Sequence, residues 1–541
     1  MKKTKKYLLI PAMPTPNGRL HLGHIGGPFL KMDILARLLQ CRGAIAKVMS
    51  ASDIYESYVL LKSHQLNRSP YEVSNHFHNL MKEDLKALMI DCEYINPFDE
   101  AYKTQVDNTY RNTIKELCEQ GATHNRKEKV FYSKRTDRYI AGAWIQGDCL
   151  YCKNPTGSYL CEACGMQYNP EDILNVKSTL GENDIEDCEV NTLFLRVKRR
   201  KELLDHMAHM GSRKEFVEIV NKYLKTYNGE IRLTNPGNWG VQWGEEKLEG
   251  SNYHVIFPYT GLFSLSRVCG HIYAKNQKLD KNPFDKDSDV ITMASFGIDS
   301  TVPWFVGVLG SMIESDKFKP FDYLLTNHFY RLEGRKFSTS RLHVIWAGDI
   351  IKKTKATSDA VRFYLIKNHP EQCETNFDVR EFIRFNNNFL LKEVDAYIQI
   401  LRQPLFSEYS IKDIPRELIE ALMNALDKQK SFLMPPNQKL TEASQFMQSW
   451  FGTLQEEWKQ YPYWSLKAIS MFYYPVMPEM SIAIWKECGH KDKPVFDQFL
   501  EKRTINKKFR QEHFFEFLKY SELSPCLPKT ITDSTLKLSK I

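Results

Sequence analysis

The chain has 541 residues, 42% hydrophobic and 26% charged, the balance of a folded protein with ample core. Lys plus Arg number 74 and Asp plus Glu 66, so the net charge of +8 permits a nucleotide or nucleic-acid partner without demanding one. No apolar run reaches the length of about eighteen residues that a membrane-spanning helix needs. The basic start, residues 1–6, leads only into a short apolar run broken by Pro11 and Pro14, which is not the pattern of a signal peptide.

Residues 7–13 are apolar and strand-like, and an amphipathic segment with helical spacing runs from His24 through Ile25, Phe29, Ile34, Leu38 and Leu39. Between them lies Pro-Thr-Pro-Asn-Gly-Arg-Leu-His-Leu-Gly-His, residues 14–24. Two histidines, His21 and His24, thus sit where a strand turns into a helix, an arrangement suited to anions. Residues 44–53 form a second strand, with Asp53 at its carboxyl end. There Asp53 either holds a ligand's ammonium group or caps the following helix. Residues 69–91 and 100–120 have the spacing of helices.

Residues 149–164 carry two Cys-x-x-Cys knuckles, Cys149/Cys152 and Cys161/Cys164, separated by eight residues. Four converging thiolates suit a structural, tetrahedral zinc ion. The other eight cysteines are scattered, as in reduced proteins, which argues against disulfides and for a cytoplasmic chain; the duplicated spacing argues against a redox pair. Residues 253–263 are dense in aromatic and apolar side chains, wall of a pocket or simply core. Residues 295–299 close another strand with Gly297 and Asp299, a place for ribose hydroxyls or a cap. Residues 332–341 form a basic, hydroxyl-rich loop able to wrap a triphosphate, or a solvated turn. Beyond residue 350 the spacing predicts only helices, over 358–368, 378–402, 416–428, 440–459 and 465–487, followed by a tail that is loose after Tyr520.

Taken in order, these signals resemble the class I aminoacyl-tRNA synthetases, and the methionyl enzymes among them. His-Leu-Gly-His at 21–24 is similar to the family's HIGH string, the cysteine knuckles to its zinc insertion, and Lys336-Phe-Ser338-Thr339-Ser340 to its KMSKS loop. Asn238-Trp239-Gly240-Val241, residues 359–365, Asn386-Asn387 and residues 474–479 resemble further family strings. The resemblance implies an α/β fold: a Rossmann-like parallel sheet split into 1–120 and 231–355, a connective insertion with a zinc knuckle at 121–230, an all-α anticodon-binding-like bundle at 356–490, and a tail at 491–541. It implies an ATP-dependent ligase that uses Mg2+, forms an aminoacyl-adenylate and passes the acyl group to tRNA. His21, His24 and Lys336 would be catalytic, acting on ATP with Gly297, Asp299, Ser338 and Ser340. Met13, Thr15, Asp53, Ile256, Tyr259, Thr260, Phe263 and Trp304 would take the amino acid, with Asp53 on its ammonium group. Cys149, Cys152, Cys161 and Cys164 would hold zinc. A monomer is expected.

The chain also departs from that pattern. Thr339 stands where the family has a second lysine, Thr15 where it has a tyrosine, and Trp304 where it has a histidine, and the run after Val255 is rewritten. Residues 461–464 run almost directly into the next helix, which counts against anticodon reading. Three readings therefore compete: a methionine ligase, a paralogue activating another amino acid for tRNA or a small acceptor, and a non-catalytic tRNA-binding protein. Intact His21, His24, Lys336 and Asp53 count against the third.

Overall fold

A computed structural model describes residues 4–244, 254–339, 341–406 and 410–531. Its centre is a five-stranded, all-parallel sheet of β1 (Lys6–Pro11), β2 (Ile45–Ala51), β3 (Cys92–Ile95), β4 (Ile291–Gly297) and β5 (Tyr323–Asn327). The spatial order is β3-β2-β1-β4-β5. Strands covered on both faces read as unbroken apolar runs, and Leu8, Leu9 and Ile10 are fully buried. The strand order reverses between β1 and β4, so the crevice at their carboxyl ends is where such folds place ligands. The histidine string follows β1 and the Gly297–Asp299 corner follows β4.

Residues 22–41 are helical throughout, as Leu22–His24, a π stretch Ile25–Phe29, and Leu30–Cys41. Between β3 and β4 the chain builds an antiparallel sheet from Thr123–Ser133, Arg138–Ile140, Ile185–Arg196 and Glu230–Arg232. Beside it stands a small sheet of Ile145–Asp148, Pro155–Gly157 and Leu174–Ser178, which carries the cysteines.

Among the described residues the carboxyl-terminal part is helical with one exception. Thr375–Phe377 is a strand, paired in parallel with Tyr330–Leu332, so strands do not stop at residue 350. Three residues are too few to show an alternating pattern. The expected helix over 465–487 is two helices, Pro462–Tyr473 and Pro478–Glu487, because Pro475 and Pro478 cannot continue the first. The expectation of looseness after Tyr520 fails up to residue 531. Leu523, Cys526 and Ile531 are buried, and the Tyr520 hydroxyl donates to the Ile531 carbonyl at 3.0 Å.

One apolar core is continuous from Leu22, Ile25 and Phe29 into bundle residues such as Phe363, Phe451 and Phe472. At its centre Asp33, fully buried, accepts from Arg37 Nε and Arg362 Nη2, each at 2.7 Å. The Arg362 guanidinium also donates to the carbonyls of Val476 at 2.8 Å and Pro475 at 3.0 Å. One carboxylate thus joins the helix after the histidines, through Arg362, to the bundle helix Ser358–Lys367 and the turn at Pro475 and Val476. Replacing Asp33 with Ala leaves two guanidiniums buried without their carboxylate, and should lower unfolding free energy by about 3–5 kcal/mol in denaturant titrations. A loss under ~1 kcal/mol would show that the triad does not hold the halves together.

Candidate active site

His21 is the N-cap of the helix that follows β1. Its Nδ1 accepts the backbone N–H of Gly23 at 3.1 Å and of His24 at 3.3 Å, while His24 Nδ1 accepts the N–H of His21 at 3.3 Å. With both Nδ1 lone pairs so used, the hydrogen-bond pattern assigns each ring's proton to Nε2. The rings stack with centroids 3.7 Å apart. Burial pushes His24 down to about 4 and His21 well below the ordinary imidazole value; the neighbouring His24 and Lys336 depress His21 further. At neutral pH both rings are uncharged hydrogen-bond donors at a helix start, suited to phosphate oxygens.

The basic loop reaches this point from the far side of the sequence. Tyr330–Leu332 and Arg335–Lys336 form a hairpin whose two turn residues, Glu333 and Gly334, both have positive φ, the geometry of a tight primed turn. Phe337 then lays its ring on His21, 4.7 Å away and nearly parallel. The backbones meet beside it, with Leu22 N–H donating to Ile345 O at 3.0 Å and Ala347 N–H to Leu20 O at 2.9 Å. Thr339 faces Gly18, whose Cβ position lies 4.0 Å from Thr339 Cγ2. Ser338 exchanges backbone bonds with His343 and accepts the Arg341 N–H at 3.3 Å. Ser340 lies outside the described residues.

Lys336 Nζ sits 4.1 Å from the centre of the Phe329 ring and 2.5 Å from Glu162 Oε2, on the second cysteine knuckle. The same knuckle packs on the corner after β4, for a Cβ at Gly165 would come within 3.0 Å of Ile298 O. Asp299 lies there too. Burial raises it to about 6, helped by the Glu162 charge and opposed by Lys336. A Cβ on Gly297 would meet Asp299 Oδ1 at 2.7 Å, so glycine makes room for that carboxylate. Lys336 therefore stands between the stacked His21 and His24 and the corner of Gly297 and Asp299, acting on both, with Ser338 two residues along the same loop.

Asp53 follows β2 and is 4% exposed; its N–H donates to Pro14 O at 3.0 Å, which sets it beside Met13 and Thr15. Its Oδ1 is buried and accepts no hydrogen bond. Burial first, then the Glu56 carboxylate, raises Asp53 well above the usual range. The run over 254–263 is a strand, His254–Ile256, turning into the helix Pro258–Asn276. Tyr259 lies against Phe257 and Tyr159, and its hydroxyl meets Ser158 Oγ at 3.2 Å. Ile256 and Thr260 are buried. Phe263 and Trp304 are packed in core, Phe263 on Phe318 and Phe284, Trp304 flat on Phe296 and against Phe321.

Three site residues escaped the sequence reading. Phe337 and Glu162 lack any local signal, since their partners are remote in sequence. Glu56 had one, an acid in an otherwise apolar and aromatic turn three residues after Asp53.

The four knuckle sulfurs lie within 4.8 Å of one another, with Cys149–Cys164 at 3.8 Å and Cys152–Cys161 at 3.5 Å. A tetrahedron with metal–sulfur bonds of about 2.3 Å has edges of about 3.8 Å, so these residues fit a single ion.

The family model described as tRNA synthetases class I (M) matches residues 7–400. The chain belongs to that family. It is similar to methionine–tRNA ligase 1 of Alkaliphilus oremlandii, 26% identical over 385 residues that cover 70% of this chain and 69% of the relative. It is also similar to the methionine–tRNA ligase of Methanocaldococcus jannaschii, 24% identical over 88% of this chain and 75% of the relative. The fold matches the crystal structure of Mycobacterium tuberculosis methionyl-tRNA synthetase bound by methionyl-adenylate, with TM-score 0.69 and 14% identity over 93% of this chain and 98% of that one. Among the described residues no helix is long and apolar enough to cross a membrane.

Gly23 has no room for a side chain, because a Cβ would lie 3.0 Å from the His21 ring and 3.1 Å from Phe337. Gly23→Ala should therefore shift both rings and cut amino-acid-dependent ATP–pyrophosphate exchange by at least ~10-fold with an unchanged circular dichroism spectrum. Full activity would mean that the stack has no catalytic weight. The lowered His24 gives a second expectation. The unfolded chain binds this proton below about 6.5 and the folded chain only below about 4, so stability falls as pH drops through that window. His24→Gln should flatten part of that fall, measured by urea unfolding at stepped pH; an unaltered slope would contradict a neutral His24.

Proposed function

We propose that the chain is an aminoacyl-tRNA ligase, like the methionine–tRNA ligases it resembles, and that it activates an amino acid with ATP and Mg2+ and transfers it to tRNA. The carboxylate of the amino acid attacks the α-phosphorus of ATP, and pyrophosphate leaves. A hydroxyl of the terminal tRNA ribose then attacks the acyl carbon of the adenylate, releasing AMP and a proton. The protein supplies position and charge.

In this reading His21 and His24 donate from Nε2 to phosphate oxygens, and Lys336 leaves Glu162 to meet the charge that develops on pyrophosphate. Ser338 and Ser340 assist on the same loop. Gly297 and Asp299 take the ribose of ATP. Asp53 binds the substrate ammonium, which would satisfy its orphaned oxygen. Met13, Thr15, Ile256, Tyr259 and Thr260 surround the remainder of the amino acid, with Phe263 and Trp304 fixing the wall from behind. Zinc held by Cys149, Cys152, Cys161 and Cys164 would stiffen the knuckle that carries Glu162. The units 1–120 and 231–355 would form the catalytic domain, 121–230 the insertion and 356–490 the tRNA-facing bundle, followed by the tail 491–541, whose described part to residue 531 packs on it.

The observation that carries this reading is the seating of Phe337 on His21, which sets Lys336 near enough to act on that neutral imidazole, itself stacked on His24. The test is ATP–pyrophosphate exchange with each of the twenty amino acids, methionine first. Exchange should occur, and Lys336→Ala should slow it by about 100-fold or more while the chain stays folded. Absence of exchange with any acid, together with retained tRNA binding, would favour a non-catalytic role. Elemental analysis should find one zinc per chain. Its chelation should lower the melting temperature and raise KM for ATP, because the partner of Lys336 moves with the knuckle; an unchanged KM would uncouple the two.

A further inference from the structure

Two buried acids, not one, stand at the end of β2. Asp53 is 4% exposed and Glu56 is 2% exposed, and only Ile54 and Tyr55 separate them. Each carboxylate is close enough for the charge on Glu56 to act on Asp53. Among the described residues, no lysine or arginine is among the groups that act on either acid. Buried carboxylates are ordinarily paired with a cation. Three other buried carboxylates of this chain follow that rule, Asp33 against Arg37 and Arg362, Glu128 against Arg232, and Glu487 against Arg402.

A purely local explanation covers part of this. Glu56 caps the helix Ser57–Leu66, accepting the Tyr58 N–H at 2.7 Å and the Ser57 hydroxyl at 3.3 Å. Capping does not need a glutamate, since Ser, Thr, Asp and Asn do it better. Nor does it touch Asp53, whose Oδ1 is buried without a partner. Glu56 and Asp53 both lie near enough to Tyr259 to act on its hydroxyl, so both stand beside the residues proposed for the amino acid. The surroundings are aromatic on both sides. Tyr259 stands with Phe257 and Tyr159, and Tyr55 with Phe98, Tyr110 and Trp239. Ring faces welcome cations. Two carboxylates give too few oxygens for a hard divalent metal ion, which takes six or more. One ammonium group would neutralise only one of the two charges.

We propose that the amino acid taken by this site is a diamino monocarboxylic acid, with Asp53 holding the α-ammonium group and Glu56, beneath Tyr259, holding the ammonium group of the side chain. This rests on the ligase reading above for the site's location, and it assigns a substrate class that differs from the methionine of the relatives' names. The neutralisation of both acids by one substrate is also the selectivity. A neutral side chain leaves Glu56 either charged and unpaired or protonated, and binds more weakly.

The test is calorimetric titration of the full chain with 2,3-diaminopropionate, 2,4-diaminobutyrate, ornithine and lysine, against methionine and norleucine. ATP–pyrophosphate exchange is run on the same panel, and both measurements are repeated on Glu56→Gln, which keeps an acceptor for the Tyr58 N–H. At least one diamino acid should bind about tenfold or more tighter than methionine and norleucine, and Glu56→Gln should remove that preference. Methionine or norleucine binding as well as every diamino acid, or a preference that survives Glu56→Gln, would overturn the proposal. Exchange with methionine alone would overturn it and leave the ligase reading standing. Selective binding of a diamino acid without any exchange would support it and sink the ligase reading.

Discussion

Residues 20–22 and 345–347 are more than three hundred positions apart, yet they pair backbone to backbone, and the Phe337 ring closes over His21 just beside them. Everything at the crevice depends on that join. It sets the basic loop over the helix start, fixes the plane of the His21 ring, and gives Lys336 its place among Glu162, Phe329 and Asp299. Each partner depends on a glycine there. Gly23 admits the two rings, and Gly334 with Glu333 makes the turn that sends the chain back.

The join is braced from behind. The helix that begins at the histidines is tied to the carboxyl-terminal bundle through Asp33, Arg37 and Arg362, all buried. It is braced again by Arg19, which binds Asp84 at 2.6 Å and Asp349 at 2.7 Å. A third support comes from the cysteine insertion, whose second knuckle touches Ile298 and supplies Glu162. Three parts of the chain therefore converge on a helix start of three residues. Charge follows the same economy. Imidazoles held neutral at the helix start escape repulsion by Lys336, whereas among the described residues no lysine or arginine is among the groups that act on Asp53 or Glu56.

How much of this could be read from residues alone depends on whether a signal is local. Three of the five parallel strands, β1, β2 and β4, were legible as apolar runs, the knuckles as a repeated spacing, and His21, His24 and Lys336 as strings with a known resemblance. Thr375–Phe377 was not legible, because its reason to be a strand is a partner at Tyr330–Leu332. Phe337 and Glu162 were likewise invisible, since an aromatic in a loop or an acid between two cysteines says nothing until the fold sets its neighbour. Trp304 and Phe263, suggested by alignment for the amino-acid pocket, have their ring contacts with Phe296, Phe321, Phe284 and Phe318, so position in a string did not predict which way a ring packs. Glu56 is the instructive case. Its charge and spacing were in plain view beside Asp53, and only its burial gives them meaning.

The central claim is that the imidazole of His21 and the ammonium of Lys336 act on one triphosphate. A double-mutant cycle in ATP–pyrophosphate exchange, with His21→Ala, Lys336→Ala and the pair, measures this directly. Groups that share the same phosphate oxygens should be coupled by about 1 kcal/mol or more, so that the double variant loses clearly less than the two single losses combined. Strict additivity of the two losses would mean that they serve separate sites, and would contradict the account.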